Sequence, residues 1–167
     1  QKVYGSVGRS RLNPQGSWAR QHVNCQLGSH SDLEWLPQEL VVYANALYEQ
    51  QLSVRLPKDA SFLGAEIVRL GLTAAGETLQ QGRWRSSLSI QRVSANQSEP
   101  QSWELVDRLE LGNSSLNDLH GLHHQPVFGT LIWAAPMPLH THILKELVDA
   151  AREDREGLEG TMRCGGL

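Results

Sequence analysis

What most constrains the fold of this chain is a two-residue alternation of apolar and polar side chains, repeated in short runs between Gly, Pro, Asn and Ser. Two residues is the period of a pleated strand, whose successive side chains point to opposite faces. Each run therefore predicts a strand with one buried and one solvated face. From Trp18 to Leu27, the set Ala19, Val23, Cys25 and Leu27 falls on one face, and Arg20, His22, Asn24 and Gln26 fall on the other. Tyr48, Leu52, Val54 and Leu56 repeat the pattern up to Pro57. Trp84, Leu88 and Ile90 do so after Gly82, and Trp103, Leu105, Leu109 and Leu111 before Gly112. Short strands punctuated by turn residues favour a mainly β architecture.

Two segments are apolar on both faces, Phe62 to Leu70 and Val127 to Trp133, and predict central strands covered on both sides. Only Leu139 to about Glu156 departs from β character. There Ile143, Leu147, Ala150 and Ala151 form one stripe, with Lys145, Glu146, Asp149, Arg152 and Glu153 elsewhere, which predicts an amphipathic helix. Neither an internal repeat nor a long linker interrupts the chain, so residues 1–167 are expected to form a single domain.

The net charge of −3 and the small number of lysines, with no basic block, argue against nucleic acid or an anionic membrane as partner. The longest apolar stretch, Val127 to Leu139, is interrupted by Pro136 and is shorter than the roughly 20 residues that span a bilayer. Cys25 and Cys164 form no C-x-x-C pair, so neither a disulfide framework nor a thiolate zinc site is indicated, and reduced thiols in the cytoplasm are the expectation.

Chemistry-bearing residues are few. Five of the seven histidines fall into two clusters, His120, His123 and His124, then His140 and His142, and imidazole binds zinc, copper and nickel well. No H-E-x-x-H completes a catalytic set, although a metal-dependent hydrolase built on these clusters stays open, as does a structural β domain without a metal role. Glu66 is the oddest acid: it shares a strand face with Phe62, Val68 and Leu70, so it must be solvated, paired or ligating. Glu77, in a turn after Gly76, and Glu39, after Pro37-Gln38, make weaker claims. There is no G-x-S-x-G elbow, no phosphate-cradling G-x-x-x-x-G-K-[ST] and no G-x-G-x-x-G opening a helix, so no catalytic machinery is evident.

Several motifs, in order and spacing, resemble the urease accessory protein UreD (UreH) family. They are Leu33-Glu-Trp-Leu-Pro-Gln-Glu39, Leu63-Gly-Ala-Glu66-Ile with Leu70-Gly71, Gly76-Glu77, Gly82-Arg83, and Gly121-Leu122 before Pro126-Val-Phe-Gly-Thr-Leu131. The sequence departs from the family pattern at Gly5, Ala65, Leu72 and Leu79. The resemblance covers nearly the whole chain and implies a central fragment, a single UreD-like domain incomplete at both ends. It further implies a helical-β fold of stacked, β-helix-like sheets with a C-terminal amphipathic helix. The family acts with UreF and the GTPase UreG to load nickel into apo-urease, so the chain is expected to be no enzyme, with no tightly bound cofactor and only transient Ni²⁺.

A protein that passes a metal on must bind it weakly enough to release it, a requirement shared with conduction pathways. Carboxylates and water suit that better than thiolates, and nickel accepts N and O ligands. Glu66, Glu77 and Glu39, each within a family motif, are therefore the residues expected to line or flank a nickel path. Trp18, Trp35 and the helix from Leu139 are places where surplus apolar surface would dock UreF or urease.

Overall fold

The alternating runs become strands, most of them paired in parallel, an arrangement that requires the chain to cross over between partners. A computed structural model of the chain describes residues 2–3, 16–94, 101–118, 121–122 and 124–156. Residues Gln1–Pro136 form one compact unit and Met137–Leu167 a second.

In the first unit, strands β2 (Ala19–Gln26), β5 (Leu47–Pro57) and β7 (Arg83–Val93) lie side by side in parallel, and β8 (Ser102–Gly112) adds antiparallel to β7. The crossovers are themselves strands of a second sheet. Between β2 and β5 run β3 (Asp32–Trp35) and β4 (Leu40–Val42), and between β5 and β7 runs β6 (Ser61–Leu70). Both β3 and β4 pair in parallel with β6, through Leu33 beside Phe62 and Leu40 beside Val68. The two-residue β1 (Lys2–Val3) pairs with β4, and β9 (Val127–Ala134) runs antiparallel along β6 from Phe62 to Arg69. The chain thus winds from one sheet to the other, giving the mainly β, helical-β arrangement of stacked sheets, which are not closed.

The apolar faces meet between the sheets. One cluster joins Leu40, Val42, Tyr48, Val68, Leu70, Trp84 and Leu111, and a second joins Val54, Leu56, Phe62 and Ile90, with Cys25, Leu33, Trp35 and Leu88 packed against it. Phe128 of β9 meets Trp84 of β7 edge to face at 5.3 Å, which seats β9 over β7. Arg92 is the buried charged side chain among the described residues. Its guanidinium donates to Glu104 Oε1 at 2.6 Å and to the carbonyls of Pro57, Ala60 and Ala135, so one side chain ties two sheet ends together.

Two local expectations change. Trp103 does not share a face with Leu105: a bulge between Ile90 and Gln91 leaves Glu104 as an extra residue and turns Trp103 out, 60% exposed. Nor are both faces of β6 and β9 covered. β6 is central in its sheet, but on the outward faces Ile67 is 50% exposed, Leu131 72% and Trp133 55%, because the second layer packs only against the inward face.

The second unit holds α2 (Thr141–Glu156), the expected amphipathic helix, beginning two residues later than Leu139. Among the described residues, no helix is long and apolar enough to cross a membrane.

Candidate functional site

Parallel register stacks like positions of successive strands into rows. Ala19, Tyr48 and Trp84 form one row on the inward face, and Val23, Leu52 and Leu88 form another. Between these two apolar rows lies a polar one, Gln21, Gln50 and Ser86, contributed by β2, β5 and β7. Across from it stands Glu66 on β6, paired in register with Thr130 on β9. These polar groups line a cavity of about 90 Å³ between the sheets, walled otherwise by apolar side chains such as Val23, Leu52, Phe62, Leu88 and Ile132. A space of that size has room for water beside its polar groups.

The hydrogen bonds run along this layer. Tyr48 Oη donates to Gln21 Oε1 at 2.6 Å. The Gln50 amide donates to Glu66 Oε1, and the same nitrogen lies 3.3 Å from Ser86 Oγ. Burial raises the Glu66 carboxyl above the usual carboxylate range; the Gln50 hydrogen bond opposes that shift, and the negative charge of Asp107 adds to it. The site is thus one carboxyl whose ionisation burial disfavours, among neutral amide and hydroxyl groups in a narrow space. Such a donor set offers a hydrated divalent cation a shallow stop rather than a closed cage. Among the described residues no three His, Cys, Asp or Glu side chains converge to hold a metal ion.

The three expected acids are not brought together. Only Glu66 lines the cavity. Glu77 accepts a hydrogen bond from the Ala44 backbone N–H, closing the loop that follows β4. Gly71, after β6, has φ +89° and packs against the Glu77 backbone, where a Cβ would run into the Glu77 carbonyl oxygen, so both its conformation and this close approach call for glycine. Glu39 pairs with Arg69 at 2.7 Å, both side chains partly exposed.

The histidine clusters fare differently. His120 and His123 lie outside the described residues, and His140 and His142 stack with ring centroids 5.7 Å apart. Of the two tryptophans expected to dock partners, Trp35 packs against the core and the Arg85 guanidinium lies 4.3 Å from the ring of Trp18. Cys25 is a free thiol facing the core, its pKa raised by burial.

Sequence reasoning passed over Gln21, Gln50 and Ser86. Their signal was the gap in each alternating run: the apolar series Ala19, Val23, Cys25 skips residue 21, Tyr48, Leu52, Val54 skips 50, and Trp84, Leu88, Ile90 skips 86. Each gap reads as a lapse in a single strand, and becomes a layer only when the strands are set in register.

Comparison with known proteins now adds to the geometry. A family model described as UreD urease accessory protein matches residues 1–167. The chain is 67% identical over 167 residues to the urease accessory protein UreD of Synechococcus sp. strain WH7805, of which it covers 52%. It is 66% identical to the UreD of Synechococcus sp. strain CC9605, covering 53% of that protein, and 55% identical to that of Prochlorococcus marinus strain MIT 9303, covering 55%. In each case the whole of this chain is matched, and it spans about half the length of these curated relatives.

Proposed function

Because the chain belongs to the UreD urease accessory protein family, we propose that it serves urease maturation as a non-catalytic subunit. In this reading it works in the cytoplasm with UreF and the GTPase UreG and hands Ni²⁺, as cargo, to apo-urease. The cavity between the sheets is the route, and Glu66 is a stop along it. The observation that carries this reading is a half-buried carboxylate set in a polar layer between two apolar rows of the sandwich.

The chemistry is consistent with transfer. A partly desolvated carboxylate attracts a divalent cation strongly only while the ion keeps other oxygen ligands, and Gln50, Gln21, Ser86 and Thr130 supply neutral oxygens or water sites beside it. Because burial disfavours the ionised carboxyl, a proton competes with a cation for Glu66 more strongly than at an exposed carboxylate. Glu77 and Glu39 flank this route in the proposal, each already engaged, by the Ala44 N–H and by Arg69.

The test is activation of apo-urease by the full-length protein with UreF, UreG, GTP, bicarbonate and nickel. Glu66→Gln keeps the hydrogen bond from Gln50 and removes the charge. Activation is expected to fall about tenfold, as for loss of one charged ligand contact. Unchanged activation by a folded Glu66→Gln protein that still copurifies with UreF removes Glu66 from the route. Failure of the parent protein to copurify with UreF or apo-urease removes the accessory reading itself.

A further inference from the structure

Two exposed histidines that the Glu66 site does not use come together at the head of α2: His140 immediately precedes its first residue, Thr141, and His142 immediately follows it. Side chains two residues apart on a regular helix point about 200° away from each other, so the pair would diverge if both were helical. His140 stands before the helix instead. Its carbonyl accepts the bond that opens α2, from the Leu144 N–H at 3.0 Å, which makes it the cap of the first turn. The two rings therefore meet, inclined by 26° with their centroids 5.7 Å apart. The other described α-helix, α1 (Asn113–Asn117), is a single turn without a histidine, so the arrangement is particular to α2.

We propose that His140 and His142 form a surface metal site, which takes a late first-row divalent cation, Cu²⁺ most tightly, through one nitrogen of each ring. Imidazole is a donor that these ions prefer, whereas Mg²⁺ and Ca²⁺ take oxygen ligands and are not expected there. The ring separation suits the task. An ion about 2.1 Å from each nitrogen lies ~3.2 Å from each ring centre, so chelating rings stand about 4.6 Å apart at a right angle, about 5.3 Å in a tetrahedron and about 6.5 Å when opposed. The observed 5.7 Å falls inside that span. Converging the two nitrogens then takes a turn of the rings, which exposed side chains make by changing rotamer. Glu146 stands one turn beyond His142 on the same helix face and sets a negative charge beside the ion. Among the described residues no third His, Cys, Asp or Glu converges on the pair, so the remaining coordination positions fall to water. Two protein ligands with exchangeable water make a site that loads and unloads, in contrast to the closed four-ligand sites of structural zinc. The inference stands apart from the route through Glu66: both ligands belong to the unit that begins at Met137, and they hold an ion whether or not the cavity carries nickel.

The experiment uses the untagged full-length protein with Cu²⁺ alone as the probe, read by titration calorimetry and by electron paramagnetic resonance. His140→Gln and His142→Gln are each expected to weaken the site at least about tenfold, since loss even of a group that merely supports a ligand costs that much. The double variant is expected to bind one equivalent less than the parent, and the equivalent lost is one whose spectrum carries imidazole nitrogen coupling. His22→Gln, at an exposed histidine on the outer face of β2, is the control and is expected to leave the isotherm unchanged. Should His140→Gln lower the helix content measured by circular dichroism, His140→Asn replaces it, because asparagine suits a helix cap. A double variant that binds Cu²⁺ as the parent does, with the same nitrogen coupling, overturns the proposal. So does a single variant that keeps the full isotherm, since the site needs both rings, and so does an equal loss in His22→Gln.

Discussion

Gln50 and Glu66 meet across the space between the two sheets, the amide of one donating to the carboxylate of the other. They come from consecutive strands, β5 and β6, that turn back on each other around Pro57 to Ala60, where the Ala60 N–H bonds the Pro57 carbonyl. A neutral donor is the partner, and among the described residues no cation offsets the charge, so the carboxyl keeps its raised pKa.

That raised pKa sets a pH dependence. The folded state holds the Glu66 proton more tightly than the unfolded chain does, so this group lowers stability as pH rises through the unfolded and then the folded pKa, and costs nothing below both. Glu66→Gln is therefore expected to match the parent near pH 4 and to melt at a higher temperature at pH 8. Thermal unfolding followed by circular dichroism across that range is the check, and a lower melting temperature for Glu66→Gln at pH 8 contradicts it.

Arg92 is expected to be the most costly single surface-to-core link to cut. Arg92→Met takes the guanidinium donor from the Ala60 and Ala135 carbonyls and from Glu104, and leaves the Pro57 carbonyl with the Ala60 N–H alone, a loss of about 3 kcal/mol, the upper end for buried acceptors deprived of a donor. Arg92→Lys recovers less than half, because one ammonium cannot span the fork that the guanidinium fills. Urea midpoints of the two variants decide the point.

Gly64 and Phe62 are expected to couple. A Cβ at residue 64 would lie 2.8 Å from the Phe62 ring, on the wall of the cavity, so Gly64→Ala should cost about 1–3 kcal/mol. In the background of Phe62→Leu the same change should cost much less. A double-mutant cycle measures the difference, and additive losses would show that the ring moves aside freely.

Glu77 and Glu39 separate structure from transport. Glu77→Ala removes the acceptor of the Ala44 N–H and is expected to cost about 1 kcal/mol, whereas Glu77→Gln keeps an acceptor oxygen and most of the stability. Glu39→Gln weakens a partly exposed pair with Arg69 and should change stability by under about 1 kcal/mol. If both glutamine variants fold at parent stability yet activate urease poorly, their charge belongs to the nickel route. Full activation confines both acids to holding the fold.

By itself the sequence determined the six longer strands, where α2 lies, and the family, whereas β1, β3 and β4 are too short to show the alternation. Those properties are written locally: alternation at Val23, Leu52 and Leu88 fixes a face for each strand, an amphipathic stripe fixes α2, and motif residues such as Gly71 and Glu77 answer to the conformation of one loop. The tertiary structure alone decided which faces meet and in what register. Alternation says that a side chain points inward and is silent about which strand lies beside it, and a shift of one residue would turn the whole set over. Parallel pairing between distant segments stacked Gln21, Gln50 and Ser86 opposite Glu66, converting three lapses in three patterns into one polar layer. The same pairing left the outward faces of β6 and β9 open, where the apolar runs alone had predicted cover on both sides.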